Sequence, residues 1–259
     1  MAKRHCVIHN EKELAGIRRA AQLAASVLDA IARAVRPGLS TLDLDQLGSR
    51  LIVAAGARSA FHNYRGFPGQ ICISVNDEVV HGIGRAERFL QYGDIVSLDV
   101  GIRVDGCIGD TARTVSLGPP VGGVARLLAV TQEGLRAGIA AAVGGNTVWD
   151  ISTAVNRVAR QAGFGVVEEF VGHGVGTQLH EPPEVPNYPR HESRDHRLRP
   201  GMVLAIEPMF NAGTHKIKVD SDHWTVRSAD GSWSAHFEHM VLITEQQPEV
   251  LTWPPTASA

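Results

Sequence analysis

Apolar residues recur at helical spacing over two stretches early in the sequence. Asn10, with Glu13 three residues later, is a capping pair for the first predicted helix, which ends at Pro37-Gly38. The positions on its apolar face are Leu14, Ile17, Ala21, Ala24, Leu28, Ile31 and Val35. Ser40 caps a second predicted helix that ends at Gly56. Its inward positions are Leu44, Leu47 and Leu51.

Two mostly apolar runs further along each carry an acid near their end. Gly93–Gly101 contains Asp99, and Gly201–Pro208 contains Glu207. A near-continuous apolar run predicts a buried strand, where a carboxylate is costly unless it is paired, protonated or bound to a metal. One such acid is compatible with a structural hydrogen-bond acceptor. Two acids, each six residues after the glycine that opens its run, indicate a shared cation.

The helical pattern of the first half recurs in the second. Beyond a linker at Leu117–Gly123, helices are predicted at Val124–Val143 and Val148–Ala162. The matched positions and their offsets are Thr41/Thr147 at 106, Gly56/Gly163 at 107 and Asp99/Glu207 at 108 residues. This repeat predicts an α+β fold with helices packed on a mostly antiparallel sheet. We expect a single domain over residues 1–259 whose two pseudo-symmetric halves are about 10–117 and about 124–251.

A hairpin brings another acid to the first acid-bearing strand. Asp105-Gly106 is a strong two-residue turn signal between β-rich flanks. If these residues form the loop, Gly101 pairs with Asp110. Asp99 then shares a sheet face with Asp110 and lies diagonally across from it, within reach of one ion.

Shorter patterns predict the remaining elements. Those of the first half are an aromatic, glycine-containing loop at Phe61–Gly69 and a strand at Ile71–Val75. Those of the second half are a strand at Val166–Phe170, a glycine-rich loop at Gly172–Gly176 and a polar loop at Glu181–Pro200. A closing hairpin around Asp230-Gly231 is predicted to have the arms Trp224–Arg227 and Trp233–Thr244. The tail at Pro254–Ala259 is predicted to be disordered.

Four acids and one imidazole on these elements are candidate metal ligands. They are Asp99, Asp110, His173, Glu207 and Glu238, the last of which is embedded in the final predicted strand. Such a set can hold two divalent cations if some carboxylates bridge. It suits Mn, Fe(II) or Co better than structural Zn, which prefers thiolate and imidazole. Each candidate alone is ambiguous: Asp110, for example, precedes Thr111 and is compatible with a turn cap.

Local sequence assigns no function to the other histidines. A lone histidine is more often a hydrogen-bonded structural residue than a functional one. On that basis alone, His81 and His180 are not distinguished from structural histidines. The histidines predicted to be structural are His5, His9, His62, His191, His196, His215, His223, His236 and His239.

Composition limits the class of protein. Hydrophobic residues make up 44% and charged residues 20%, which is ordinary for a soluble globular enzyme. A net charge of −2 provides no electrostatic footprint for nucleic acid or an acidic membrane. Cys6, Cys72 and Cys107 are widely spaced and favour a reduced compartment over a disulfide framework. With no leader pattern and no membrane-spanning apolar run, we expect a cytoplasmic protein without membrane or direct nucleic-acid partners.

Several segments, in order from about Asn10 to Leu251, carry a resemblance to a known family. They are Cys72–Gly82, Asp94–Val100, Gly109–Thr111, Gly172–Gly176, His180–Pro183, Pro200–Met209 and Glu238-His239. By these segments the chain resembles the type I methionine aminopeptidases of the pita-bread metallopeptidase family. The resemblance implies a catalytic domain with the pita-bread fold. It also implies metal-assisted removal of the N-terminal methionine from nascent proteins and peptides whose second residue is small.

The same resemblance implies roles for individual residues. The five candidate ligands would hold two divalent ions, with Co, Mn and Fe left open as their identity. Glu207 would also take the proton of the attacking water. His180 would stabilise the developing oxyanion, and His81 would contact the scissile amide nitrogen, so both would touch substrate.

A methionine side chain needs a close-fitting apolar pocket. Residues that match the family's pocket are Tyr64, Phe67, Cys72 and Trp224, with Phe61 nearby. Leu179 and Val80 depart from the residues that some relatives carry there, which is expected to alter pocket shape and not the reaction. The implied partners are nascent polypeptide N-termini, with the ribosome left open, and we expect a monomer.

Two other functions are possible on this fold, an aminopeptidase P or prolidase-like activity and metal-free binding. An aminopeptidase P or prolidase-like activity would use the same ligands, but those relatives usually have a large N-terminal domain for which this chain has no room. Type II methionine aminopeptidases carry a long insertion between the catalytic histidine and the next glutamate ligand, whereas only 26 residues lie between His180 and Glu207 here. A metal-free binding module on the same fold would have lost ligands, and all five are present.

Overall fold

A computed structural model describes residues 6–120 and 122–253. Within them the α-helices are α1 (Glu11–Ala34), α2 (Thr41–Ala54), α3 (Gly122–Ala141) and α4 (Val148–Ala162). The predicted capping pair opens α1: the Asn10 side chain accepts from the Glu13 amide, and the Glu13 carboxylate accepts from the Asn10 amide, each at 3.0 Å. The tail predicted to be disordered, Pro254–Ala259, lies outside the described residues.

The strands among the described residues pair only in antiparallel fashion. In chain order they are β1 (Arg58–Ser59), β2 (Cys72–Val75), β3 (Glu78–Val80), β4 (Ile95–Val104), β5 (Cys107–Ser116), β6 (Gly165–Val166), β7 (Gly172–Gly174), β8 (Glu181–Val185), β9 (Val203–Ile206), β10 (Met209–Asn211), β11 (Ile217–Val219), β12 (Val226–Ser228), β13 (Ser234–His236), β14 (His239–Leu242) and β15 (Glu249–Val250). Strand β4 pairs with β5 and also with β1 and β2, while a second sheet has the order β15-β14-β9-β7-β8. Smaller sheets have the orders β13-β10-β6 and β11-β12-β3.

Equivalent backbone contacts occur in the two halves. Gly38 N donates to Leu90 O at 2.8 Å, and Gly145 N donates to Leu198 O at 3.0 Å. Leu90 N and Leu198 N in turn donate to the carbonyls of Leu39 and Asn146, both at 2.8 Å. One sequence match was wrong by a residue. The residue equivalent to Thr147, the N-cap of α4, is Ser40, the N-cap of α2, and not Thr41.

The N-caps correct that match because the same acid follows each of them. The Asp43 carboxylate accepts from the Ser40 amide at 2.8 Å, and the Asp150 carboxylate accepts from the Thr147 amide at 2.7 Å. The offset at the helix starts is therefore 107, as it is at Gly56 and Gly163, the left-handed glycines that follow the two helices.

The buried face of α2 is also shifted from the prediction. Leu44 is buried, but Leu47 and Leu51 are only half-buried. Gly48 and Ile52 take the inward positions, where a Cβ on Gly48 would lie 3.1 Å from the Ile71 side chain. Small side chains at this position let the helix approach the sheet closely.

Several predicted elements of the second half were wrong. The strand at Val166–Phe170 is confined to β6, and the loop at Gly172–Gly176 contains the paired strand β7. The glycines read as a turn signal, but they allow close strand packing instead: a Cβ on Gly172 would lie 2.3 Å from Ala205 O. The polar loop at Glu181–Pro200 likewise begins with strand β8.

The predicted closing hairpin does not form. The Asp230-Gly231 turn is present, with Gly231 at φ +74°. However, β12 pairs with β11 and β3, whereas β13 pairs with β10. Glu238 is not in a strand and lies between β13 and β14. Alternation of apolar and polar residues identifies a strand face but not the strand's partner, which here is distant in sequence.

Most of the apolar core among the described residues lies in three clusters, and a smaller fourth lies around β3, β10 and β12. One lies between α1, α2 and the β4 sheet, and a second lies between α3, α4 and the second half's strands. The third contains Leu14 and Ile17 of α1 together with Val203 and Met240 of the second half, so it joins the halves. Among the described residues, no helix has both the length and the apolar character needed to cross a membrane.

Candidate active site

The β4–β5 hairpin has the register that the sequence predicts. Gly101 pairs with Asp110, and Asp99 pairs with Ala112. The two acids therefore lie diagonally on one face. Both line the same cavity, which has a volume of about 350 Å³.

His173 reaches this cavity from β7, where it pairs with Ala205 of β9. Its Nδ1 lies 2.9 Å from Gly174 O, and because a carbonyl only accepts, Nδ1 must carry the proton. The unprotonated Nε2 then lies 3.4 Å from Glu207 Oε1 and 4.0 Å from Asp110 Oδ2. A backbone acceptor on one ring nitrogen is the usual way to present the other to a metal.

The remaining acids complete the group. Asp99 lies on β4, and Glu207 directly follows β9, the equivalent strand of the second half. Glu238 is 3% exposed. One ligand atom from each of Asp110, His173 and Glu238 can be chosen so that all lie within 4.8 Å of one another. Asp99 and Glu207 line the same cavity as these three. The structure thus brings all five sequence-predicted ligands together.

The electrostatics of this cluster fit bound cations. Burial raises the pKa of Asp99 to about 7. The pKa values of Asp110, Glu207 and Glu238 are raised well above their usual range by burial and then by the negative charges of the other acids. Asp99 Oδ1 and Asp110 Oδ1 are buried and accept no hydrogen bond. Buried carboxylates that repel one another, two of them with an oxygen that lacks a donor, match a carboxylate-rich site for Mn, Fe or Co.

His81 lies at the end of β3 in a left-handed backbone conformation, with φ at +58°. Its ring contacts the edges of Phe170 and Trp224 at centroid distances of 5.1 and 6.2 Å. Gly82 follows, and a Cβ there would lie 2.1 Å from Ile73 O, so only glycine fits beside this histidine. The conformation holds the imidazole against the cavity.

His180 lies beside the candidate ligand His173. Its ring centroid is 4.2 Å from that of His173, and its Nδ1 is 2.9 Å from the Tyr64 hydroxyl. Although part of the side chain is open at the cavity mouth, desolvation and the nearby Arg65 cation lower its pKa. Burial and then His180 lower the pKa of His81 to about 4. Both imidazoles are therefore neutral at pH 7.

One wall of the cavity is apolar. Its residues are Phe61, Tyr64, Phe67, Cys72, Val80, Phe170, Leu179 and Trp224. Phe67 and Trp224 meet edge to face at 5.2 Å. Every sequence-predicted pocket residue is in this wall, including the two positions at which the chain departs from some relatives.

Five residues that line the cavity were not predicted as site residues: Arg65, Glu169, Phe170, Val171 and His236. Phe170 was assigned to a strand, and His236 was predicted to be structural. The His236 side chain is 2% exposed, and its Nε2 lies 3.7 Å from Glu207 Oε2. Burial, and then His81, lower the pKa of His236 to about 3. Its position two residues before Glu238 is the signal that could have identified it.

Comparison with known proteins identifies the family. The model of metallopeptidase family M24 matches residues 15–245, which is most of the chain. The chain belongs to metallopeptidase family M24. Within this family, the methionine aminopeptidase of Clostridium acetobutylicum is 43% identical over 246 residues, covering 95% of this chain and 98% of that protein.

Solved structures of M24 enzymes agree with this relationship. The crystal structure of methionine aminopeptidase from Rickettsia prowazekii is 37% identical, with a TM-score of 0.92, and the match covers 96% of this chain and 100% of that one. The prolidase from Pyrococcus furiosus has a TM-score of 0.79 at 22% identity, and the match covers 96% of this chain but 66% of that one. The prolidase shares the fold alone. The resemblance to methionine aminopeptidases and the pita-bread fold are thereby confirmed.

Proposed function

We propose that this protein removes N-terminal methionine from polypeptides whose second residue is small. One observation carries the proposal: four acids and an imidazole, two further imidazoles and an apolar wall all line the same cavity. The acids and His173 would hold metal, the other imidazoles would act on the scissile amide, and the wall would receive a methionine side chain. Methionine is flexible and polarisable, so it suits a wall of aromatic rings and a thiol.

We propose that Asp99, Asp110, His173, Glu207 and Glu238 hold two divalent ions, with Co, Mn and Fe as candidates. Divalent cations bound there would supply positive charge that acidifies water and polarises a carbonyl oxygen. The deprotonated Nε2 of His173 and the buried oxygens of Asp99 and Asp110 that lack hydrogen bonds support these assignments.

The chain's own side chains are assigned the proton transfers. Glu207 takes a proton from the attacking water, a role supported by its position in the cavity beside the other acids. His180 donates a hydrogen bond to the developing oxyanion. His81 contacts the amide nitrogen and assists departure of the amine.

The substrate end of the site is assigned to Tyr64, Phe67, Cys72 and Trp224. These residues enclose the methionine side chain, while the free amine lies near the carboxylate cluster. An amine held at one fixed distance from the scissile bond limits cleavage to the first residue. Nascent polypeptide N-termini are the proposed substrates, and a contact with the ribosome is part of the same hypothesis.

We further propose that the chain acts as a monomeric, single catalytic domain in the cytoplasm. The candidate ligands come from both halves of one chain, so no second copy is required to complete the site. All three cysteines, Cys6, Cys72 and Cys107, are free, which suits a reduced compartment.

Cleavage of three peptide types tests the function. The metal-reconstituted protein is incubated with Met-Ala-Ser, Met-Leu-Ser and an Xaa-Pro peptide, and the released amino acid is quantified. We expect fast release of methionine from Met-Ala-Ser and slow release from Met-Leu-Ser. A preference for Xaa-Pro would transfer the assignment to an aminopeptidase P or prolidase-like activity.

A further inference from the structure

Tyr64 makes a polar contact that its place in an apolar wall does not require. Its hydroxyl oxygen lies 2.9 Å from His180 Nδ1, and the two rings stack at a centroid distance of 5.3 Å with 27° between their planes. The sequence placed Tyr64 in the wall for its ring alone. The hydroxyl adds a second function that a phenylalanine could not perform.

The loop that carries Tyr64 is internally fixed. Tyr64 N donates to Phe61 O at 2.8 Å, and Phe67 N donates to Tyr64 O at 3.0 Å. Asn63 N donates to Phe67 O at 2.8 Å, which closes the turn. These bonds hold the phenol in position against His180 before any substrate binds.

The contact has two possible directions, and they have opposite consequences. A neutral imidazole carries one N–H, on either Nδ1 or Nε2. If the phenol donates to Nδ1, the proton of His180 is on Nε2, the nitrogen left for the cavity. If Nδ1 donates to the phenol, Nε2 has a lone pair, and His180 can accept a proton or bind a metal but cannot donate to an oxyanion.

Chemistry favours donation by the phenol. A phenol O–H is a stronger acid than a neutral imidazole N–H, and an imidazole nitrogen is a stronger base than a phenol oxygen. The Arg65 guanidinium lies over the Tyr64 ring, 5.4 Å from its centroid. A cation over the ring stabilises the electron density that builds up there as the phenol donates its proton.

We propose that Tyr64 is a positioning residue that holds His180 as its Nε2–H tautomer and so directs an N–H into the cavity. This inference rests on the proposed function, in which His180 donates to the oxyanion. It adds that the donor exists because a neighbouring hydroxyl selects the tautomer. The arrangement mirrors His173, where a backbone carbonyl selects the opposite tautomer and leaves Nε2 free to ligate.

Nitrogen NMR of the histidine rings measures the tautomer directly. The full-length protein is labelled with ¹⁵N-histidine and loaded with Zn²⁺, which is diamagnetic, and the His180 signals are assigned by their absence from His180→Ala. We expect Nε2–H at His180 in the parent and a shift towards Nδ1–H in Tyr64→Phe, which keeps the ring. An Nδ1–H parent, or a Tyr64→Phe variant with unchanged signals, would overturn the proposal. If the variant does not fold, an Nδ1–H parent would still overturn the proposal.

Kinetics separate positioning from pocket shape. Tyr64→Phe should lower kcat by on the order of 10- to 10²-fold, less than loss of the donor itself, while KM for Met-Ala-Ser stays near the parent value. Tyr92→Phe is the matched control, since Tyr92 is 74% exposed and should behave as the parent. If Tyr64→Phe retains parent kcat while Tyr64→Leu loses activity, Tyr64 is only a wall and the proposal fails.

The NMR and kinetic results separate the role of Tyr64 at His180 from the proposed cleavage of methionine peptides. The NMR signals are recorded without substrate, so they report the tautomer even if methionine peptides are not cleaved. If no methionine peptide is cleaved by the parent, the proposed function fails and the tautomer result still stands. A changed tautomer with unchanged kcat would overturn the link between His180 and the oxyanion.

Discussion

His236 Nε2 lies 3.7 Å from Glu207 Oε2, and this imidazole nitrogen has no hydrogen-bond partner in the described structure. A buried polar atom without a partner is rare and usually belongs to a site that binds something. Glu207 is the proposed base, so His236 is placed to restrain the carboxylate oxygen that faces it. Since the pKa of His236 is lowered to about 3, it would do so as a neutral group.

We predict that His236→Gln retains most activity and that His236→Leu loses it. Glutamine supplies an N–H donor of similar reach, whereas leucine leaves the Glu207 oxygen against a hydrocarbon surface, a loss of about 1–3 kcal/mol or on the order of 10- to 10²-fold in kcat. Steady-state kinetics on both variants, at matched metal content, are the measurement. Equal activity in the two variants would show that His236 only fills space.

We predict that Asp110→Asn loses metal and activity together. A neutral amide cannot replace a carboxylate shared between cations, and the other buried acids would then lack part of their charge balance. Metal content by elemental analysis and turnover of Met-Ala-Ser are measured on one preparation. Asp105→Asn is the matched control, because Asp105 lies in the exposed hairpin turn at φ +50°, a conformation that asparagine accepts. Full turnover of Asp110→Asn at low metal concentration would contradict the dinuclear assignment.

We predict that His180→Ala keeps metal content near that of the parent while kcat falls by about 10²–10³-fold. The reason is that an oxyanion donor acts mainly in the transition state, so binding of the ground state changes less. Metal stoichiometry and kinetics are again measured on the same preparation. Metal lost in proportion to activity would make His180 a ligand.

A buried histidine outside the site provides a prediction on stability. His9 Nε2 lies 3.1 Å from Glu181 Oε2, and its Nδ1 lies 3.5 Å from Glu13 Oε2. Burial alone would lower the pKa of His9, but contact with Glu181 and the charge of Glu13 outweigh it and raise the pKa. The same histidine helps lower the pKa of Glu181 against the opposing effect of burial.

The raised pKa sets the sign of the pH dependence. The folded protein binds the His9 proton more tightly than the unfolded chain does, so this stabilisation is fully present below about pH 6.5 and is lost as pH rises through the folded pKa. We predict that the free energy of unfolding falls with pH in this window by at most about 1.4 kcal/mol per pH unit. His9→Gln should lack that slope in urea titrations, and exposed His215→Gln should retain it. Parallel slopes in the parent and His9→Gln would contradict the prediction.

Local signals predicted the first half well. The capping pair of Asn10 and Glu13 and the Asp105-Gly106 turn act over a few residues, so the sequence was enough to place α1 and the register that brings Asp99 to Asp110. The same kind of pattern made His173, Glu207 and Glu238 candidate ligands, and the cavity brings all five candidates together.

The same local sequence signals could not predict which strands pair over long sequence distances. The glycines around His173 gave a turn signal, but they serve close contact between strands whose partners are set by the whole sheet. His236 was missed because a three-residue strand shows too little alternation to identify a buried face. The contact between His9 and Glu181 could not be predicted, since each side chain has an ordinary local environment in the sequence.

The division of the acids between the halves has a mechanical consequence. Asp99 and Asp110 belong to the first half, whereas His173, Glu207 and Glu238 belong to the second. A cation shared by this set would act as a further cross-link between two halves that are already joined by α1 packing, the β3–β12 strand pairing and a linker. Unfolding of either half would then release the ion, so loss of metal would accompany the first step of unfolding. Chelation would therefore weaken the contact between the two halves as well as abolish catalysis. The thermal stability of the enzyme would be highest when it is saturated with metal.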